Sequence, residues 1–245
     1  MSQAHPLPPE RAALLRWAAG LGAVTAEALA AREGCSLSSA RSRLLAAARI
    51  GLLTRERPLV GRPALYTATR AGMRACGLRG LDPCRVTSSN AMHMIVCAEV
   101  AAALDGCYPD HRLLGERELR RDEREYGATL ASAVMRTAGA GRAALHRPDL
   151  VLWPNGEDDG LPVAVEVELT IKAPRRLVDI CIAWARCRCV AGVLYLVAPE
   201  VERPLAVAID RARARARIAL VPLDALPLKR GTWGAPAERS IAADA

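Results

Sequence analysis

Apolar residues recur at two different periods along this 245-residue chain, and the period changes partway. The first third is helical in spacing. Pro9 opens a first helix with Leu14, Leu15, Trp17 and Ala18 as its stripe, and Gly20 and Gly22 end it. Thr25 caps a second helix through Arg32, closed by Gly34; Ser36 caps a third, with Leu37, Ala40, Leu44, Ala47 and Ala48 inward. Residues 52–57 and 64–68 flank a turn-rich tip from Pro58 to Pro63, which predicts a two-stranded ribbon, and a short helix from Thr69 to Gly77 follows.

Further on, strand signals alternate with helical ones. A helix capped by Ser89 or Asn90 runs to about Leu104, with Met94, Cys97, Ala98 and Ala101 on its buried stripe. A strand is expected over His111–Leu119. The mixed-sign run Glu116–Tyr126 reads as a solvated face or loop, and 127–144 as an Ala- and Gly-rich flexible excursion. Leu150–Trp153 is a short apolar run broken by Pro154-Asn155-Gly156, and Val163–Ile171 alternates strictly. A helix from Pro174, a buried strand at Val193–Val197, a helix over Pro204–Arg215 and a strand at Ile218–Val221 complete the pattern. This order predicts an α/β domain with a mixed sheet. The Gly- and Pro-punctuated stretch 79–88 reads as a linker between modules at 9–78 and 89–225, and 226–245 as an irregular tail.

Composition narrows the partners. With 51% hydrophobic residues, 3% aromatic and no Phe, the cores must be packed from Leu, Val and Ala. The net charge of +8 favours an anionic partner, nucleic acid first. No apolar run approaches the roughly 20 residues that cross a membrane, and the N-terminus lacks a signal-peptide layout, so a soluble cytoplasmic protein is expected. The eight cysteines form no C-x-x-C pair, which argues for reduced, buried thiols over structural zinc.

On the third helix, Ser38, Ser39, Arg41, Ser42 and Arg43 face away from the apolar stripe, a small and cationic surface suited to a DNA groove. Arg55, Arg57 and Arg62 put charge on the ribbon, where phosphates are contacted. The order of three helices and a hairpin resembles the winged helix-turn-helix of bacterial regulators, which implies double-stranded DNA as partner.

In the second module Glu166 and Glu168 share one strand face, and the hairpin brings Asp149 beside Glu166. Three converging carboxylates suit Mg²⁺ or Mn²⁺. Lys172 lies four residues past Glu168, roughly 13 Å along a strand, so it reaches such a site only if the chain bends. Glu99 on the preceding helix is a further candidate acid, and His93 reads as a half-buried polar residue. His146 and Arg147 stand next to Pro148-Asp149, where a basic pair would hold a phosphate.

Pro148-Asp149 followed by Glu166-Val167-Glu168 resembles the PD-(D/E)xK nuclease superfamily, with Glu168 where that pattern has Lys. The winged helix, ERELR at 116–120 and the RPDLVL…VEVELT…K hairpin together resemble the replication-relaxation family over roughly residues 10–225. Members occur on plasmids and other mobile elements of actinobacteria. The resemblance implies a restriction-endonuclease-like α/β domain that nicks or cleaves DNA, with Asp149, Glu166 and Glu168 as metal ligands and Lys172 or Arg147 countering the developing charge. The rival it leaves open is a replication or transcription regulator whose nuclease-like domain is inert and serves homodimerisation or partner binding.

Overall fold

The computed structural model describes residues 7–135, 144–155 and 160–226. The N-terminal part, the head, contains α1 (Pro9–Leu21), α2 (Ala26–Glu33), α3 (Leu37–Arg49), the antiparallel strands β1 (Leu53–Glu56) and β2 (Leu65–Ala68), and α4 (Arg70–Ala75). Its helices start where hydroxyl side chains satisfy the first free amides. Thr25 accepts from the Ala28 N–H at 3.0 Å, Ser36 from Ser39 at 3.1 Å and Thr69 from Gly72 at 3.0 Å. Gly34 closes α2 in the left-handed conformation. Gly20 does not end α1; the helix runs to Leu21 and stops at Gly22. Leu14, Leu15, Ala18, Leu29, Leu44 and Tyr66 form the buried core of the head.

The remainder, the body, begins with α5 (Ala91–Cys107), after a segment at 79–88 that carries no helix or strand. Then come β3 (His111–Gly115), α6 (Glu116–Tyr126), β4 (Ala133–Val134), β5 (Leu145–His146), β6 (Leu150–Pro154), β7 (Val163–Glu168), α7 (Pro174–Arg186), β8 (Gly192–Val197), α8 (Pro199–Arg211) and β9 (Ile218–Pro222). The main sheet has the order β3-β6-β7-β8-β9. Its first two pairings are antiparallel and its last two parallel, so the body is α/β with a mixed sheet, as the element order predicts. Strand alternation divides the core. Val151, Ala164, Val193 and Tyr195 face Ile180 and Trp184 of α7 and Leu205 of α8. Leu150, Leu152, Val165 and Leu196 share the other layer with Val96, Val100 and Leu104 of α5.

Three expectations are corrected. The run at 116–126 is a helix, not a loop: Leu119 and Glu123, one turn apart, are its buried residues, and Gly127 closes it in the left-handed conformation. This also ends β3 at Gly115 instead of Leu119. The helix expected from Pro204 starts at Pro199, whose missing N–H is harmless in the first turn, and Pro204 lies inside it. Strand β7 ends at Glu168, and Ile171, placed on the buried face by the alternation, is 57% exposed. Parts of the excursion (136–143), of the hairpin turn (156–159) and the tail (227–245) lie outside the described residues.

Head and body share a packed boundary. Ala28 of α2 lies in one buried cluster with Ala98 and Ala102 of α5, small side chains that let the two helices approach closely. Arg32 spans the same boundary, with its Nε 2.7 Å from Asp105 and its guanidinium 5.0 Å from the centroid of the Trp17 ring. At the end of α1, a Cβ on Gly115 would collide with the Gly20 carbonyl, so this approach requires glycine. Among the described residues, no helix is long and apolar enough to cross a membrane.

Candidate functional site

Two places gather the residues singled out from the sequence. The first is the outer surface of the head. Ala40, Leu44 and Ala47 bury one face of α3, which leaves Ser38, Ser39, Arg41 and Ser42 exposed. Arg43 is half-buried and ion-paired with Glu33, a hydrogen bond that raises its already high pKa. Arg41 lies 3.7 Å from Glu27. With Arg55, Arg57 and Arg62 it lines a cleft of about 340 Å³ between the helices and the hairpin. The exposed guanidinium groups of Arg41, Arg55 and Arg57 around the carboxylate of Glu27 make this a cationic hollow that faces outward.

The second place is where β6 begins and β7 ends. Continuing their antiparallel register sets Asp149 opposite Glu166, as the hairpin predicts. The three acids nevertheless do not gather into one oxygen cage, because each has its own partner. Asp149 turns to α5, with Oδ1 2.9 Å from His93 Nε2, while its Oδ2 accepts the Val167 N–H at 2.8 Å. Glu166 is buried, with Oε1 2.7 Å from His146 Nε2, and the same oxygen accepts the indole N–H of Trp184 at 3.2 Å. Burial raises the Glu166 pKa and the charge of Asp149 adds to it, against the opposing pull of His146. Glu168 is ion-paired with Lys172. The chain after β7 therefore makes the bend that the sequence left as a condition, and Lys172 returns to the site.

Arg147 does not face outward. Its Nε lies 3.0 Å from Glu123, a buried carboxylate that also accepts the Leu130 N–H at 3.1 Å. Glu99 is buried on α5. Arg217 clamps the turn after α7: its guanidinium donates to the carbonyls of Cys187, Val190 and Ala191.

Sequence reasoning missed the pairing of Asp149 with His93 and Cys97 on α5. His93 and Cys97 are one turn apart on α5, and Cys97 Sγ lies 3.4 Å from His93 Nε2. Burial pulls the His93 pKa down, but hydrogen bonds to Asp149 and Cys97 outweigh it and hold the value up at about 11. Burial likewise pushes the Cys97 thiol to about 11. The imidazole, thiol and carboxylate donor atoms of His93, Cys97 and Asp149 all lie within 4.8 Å of one another. A His and a Cys spaced i, i+4 on a predicted helix were the available signal. Mg²⁺ and Mn²⁺ prefer oxygen donors, and among the described residues the carboxylates of Asp149, Glu166 and Glu168 do not gather into one group as closely as this one, so the expected cage does not fit these ions as the side chains are arranged. No family model, curated protein or solved structure matches the chain.

Proposed function

We propose that this chain is a cytoplasmic duplex-DNA-binding protein of the replication-relaxation type, docking through a winged helix-turn-helix at residues 9–78. The arginine-lined cleft beside the exposed Ser and Arg face of α3 carries the reading. In this mode α3 enters the major groove with Ser38, Ser39 and Ser42 toward base edges, and Arg41 trades Glu27 for phosphate. Arg55, Arg57 and Arg62 on the hairpin hold the adjacent backbone. Arg43 supports α3 through Glu33 and contributes less.

The test is fluorescence anisotropy with duplex DNA across a salt series. Binding should weaken as salt rises, with a slope of about −0.9 per phosphate contacted. Binding that ignores salt, or survives Arg41→Ala with Arg55→Ala, would remove the head from the interface.

A second reading, nicking by a nuclease-like body, is favoured by one observation: Lys172 folds back onto Glu168, beside Glu166 and its neighbour Asp149. Supercoiled plasmid converted to the open circular form with Mg²⁺ or Mn²⁺, and left intact by Asp149→Ala, would support nicking. DNA binding without strand breaks would favour an inert body used for dimerisation or partner binding.

A further inference from the structure

The cluster of His93, Cys97 and Asp149 is not the carboxylate set of the nicking reading, and its chemistry points elsewhere. Its three donors are one nitrogen, one sulfur and one oxygen. Hard cations avoid thiolate, whereas zinc-class ions accept sulfur, imidazole and carboxylate together. In a tetrahedral zinc site with ordinary bond lengths, neighbouring donors stand about 3.3 to 3.6 Å apart. Here the imidazole nitrogen is 2.9 Å from the carboxylate oxygen and 3.4 Å from the sulfur, so a few tenths of an ångström of opening would admit the ion.

The surroundings fit as well. Helical spacing fixes His93 and Cys97 on one face of α5. The second oxygen of Asp149 is held by the Val167 N–H at 2.8 Å, an outer-shell bond that aims the first toward the helix. All three side chains line a cleft of about 150 Å³ at the head–body boundary, together with Leu21, Glu116 and Arg117. A water occupies about 30 Å³ in the liquid, so the fourth coordination position has room for water or a small ligand.

We propose that His93, Cys97 and Asp149 form a binding site for one zinc-class divalent ion, with its fourth position open to this cleft. The site shares Asp149 with the nicking reading but rests on neither that reading nor DNA docking, and its readout, cobalt binding, is separate from strand breakage. Binding displaces the protons of His93 and Cys97 and breaks the imidazole–carboxylate contact, replacing it with two bonds to the ion.

The test uses the full chain, stripped with a chelator under reducing conditions and titrated with Co²⁺. One Co²⁺ per chain should bind, with a thiolate-to-cobalt charge-transfer band. Zn²⁺ should displace it, and a large excess of Mg²⁺ should not. Cys97→Ser should abolish the band, and His93→Gln and Asp149→Asn should each weaken binding at least tenfold. His93→Gln serves where Cys97→Ser fails to fold, because the imidazole is 40% exposed. Competing thiols are Cys84, which lines the same cleft, and the pair Cys187 and Cys189, with sulfurs 3.2 Å apart, so C84S and the double variant C187S/C189S should each keep the band. Absence of stoichiometric binding, a band that survives Cys97→Ser, or a band lost in C84S or in the double variant would overturn the proposal.

Discussion

Between α3 and the β1–β2 hairpin, Arg41, Arg55, Arg57 and Arg62 line a cleft open to the outside. At the end of the body's sheet, Asp149, Glu166, Glu168 and Glu123 each have a basic partner within the chain: His93, His146, Lys172 and Arg147. The difference teaches which charges the fold needs. The exposed guanidinium groups of Arg41, Arg55 and Arg57 contribute little to stability and leave their charge available to an anion. Of those four acids, the buried Glu123, Glu166 and Glu168, each with one basic partner, are costly to uncouple, because the survivor stays desolvated. One strongly basic composition thus hides two roles for arginine.

The contrast is most exposed to failure at Arg147. Arg147→Ala leaves Glu123 buried without its cation and should cost about 3–5 kcal/mol in urea unfolding. A loss below about 1 kcal/mol would mean that the body's pairs are no more structural than the head's. The double variant R55A/R57A probes the opposite side. Duplex affinity should fall about tenfold, or about 1.4 kcal/mol, and the salt slope should shrink by about two. Its stability should stay within about ±0.5 kcal/mol of the parent. Ser36→Ala sits between the two roles. Loss of the cap of α3 should cost about 1 kcal/mol, with DNA binding weakened in step.

The smallest effect is in pH. His93 has its pKa raised from 6.5 to about 11, so the folded chain holds a proton that the unfolded chain loses. This stabilisation is complete below about pH 6.5 and is lost as pH rises through about 11. The 40% exposure of the imidazole screens the effect. Urea midpoints measured from pH 6.5 to 10 should decline, and His93→Gln should flatten the decline; an equal slope in the variant would assign it to another group.

Legibility in the sequence followed the range of the forces involved. Thr25, Ser36 and Thr69 cap helices through bonds to amides three residues on, so the element order of the head could be read locally. Asp149 opposite Glu166 was legible too, because a hairpin register is short-range. Helix α6 was hidden because its inward positions are one Leu and one Glu, and a buried Glu looks solvated until Arg147, 24 residues later, is brought to it. The partners of the acids were hidden for the same reason: His93 lies 56 residues from Asp149, and His146 lies 20 from Glu166. Pairing at such distances is decided by the packing of α5 and β5 against the sheet, which no local pattern encodes. Lys172 was legible only up to the bend after β7, because its return to Glu168 depends on where the strand ends.

The close approach of Gly20 and Gly115, with Arg32 riveting α2 to α5, has a consequence for geometry on DNA. A protein whose reading helix swings on a tether samples many azimuths around the duplex. If the head docks on duplex DNA as proposed, this seam would hold the sheet end at one fixed phase and one fixed number of base pairs from the groove that α3 enters. Hydroxyl-radical footprints would then show two protected tracts whose spacing does not blur with temperature.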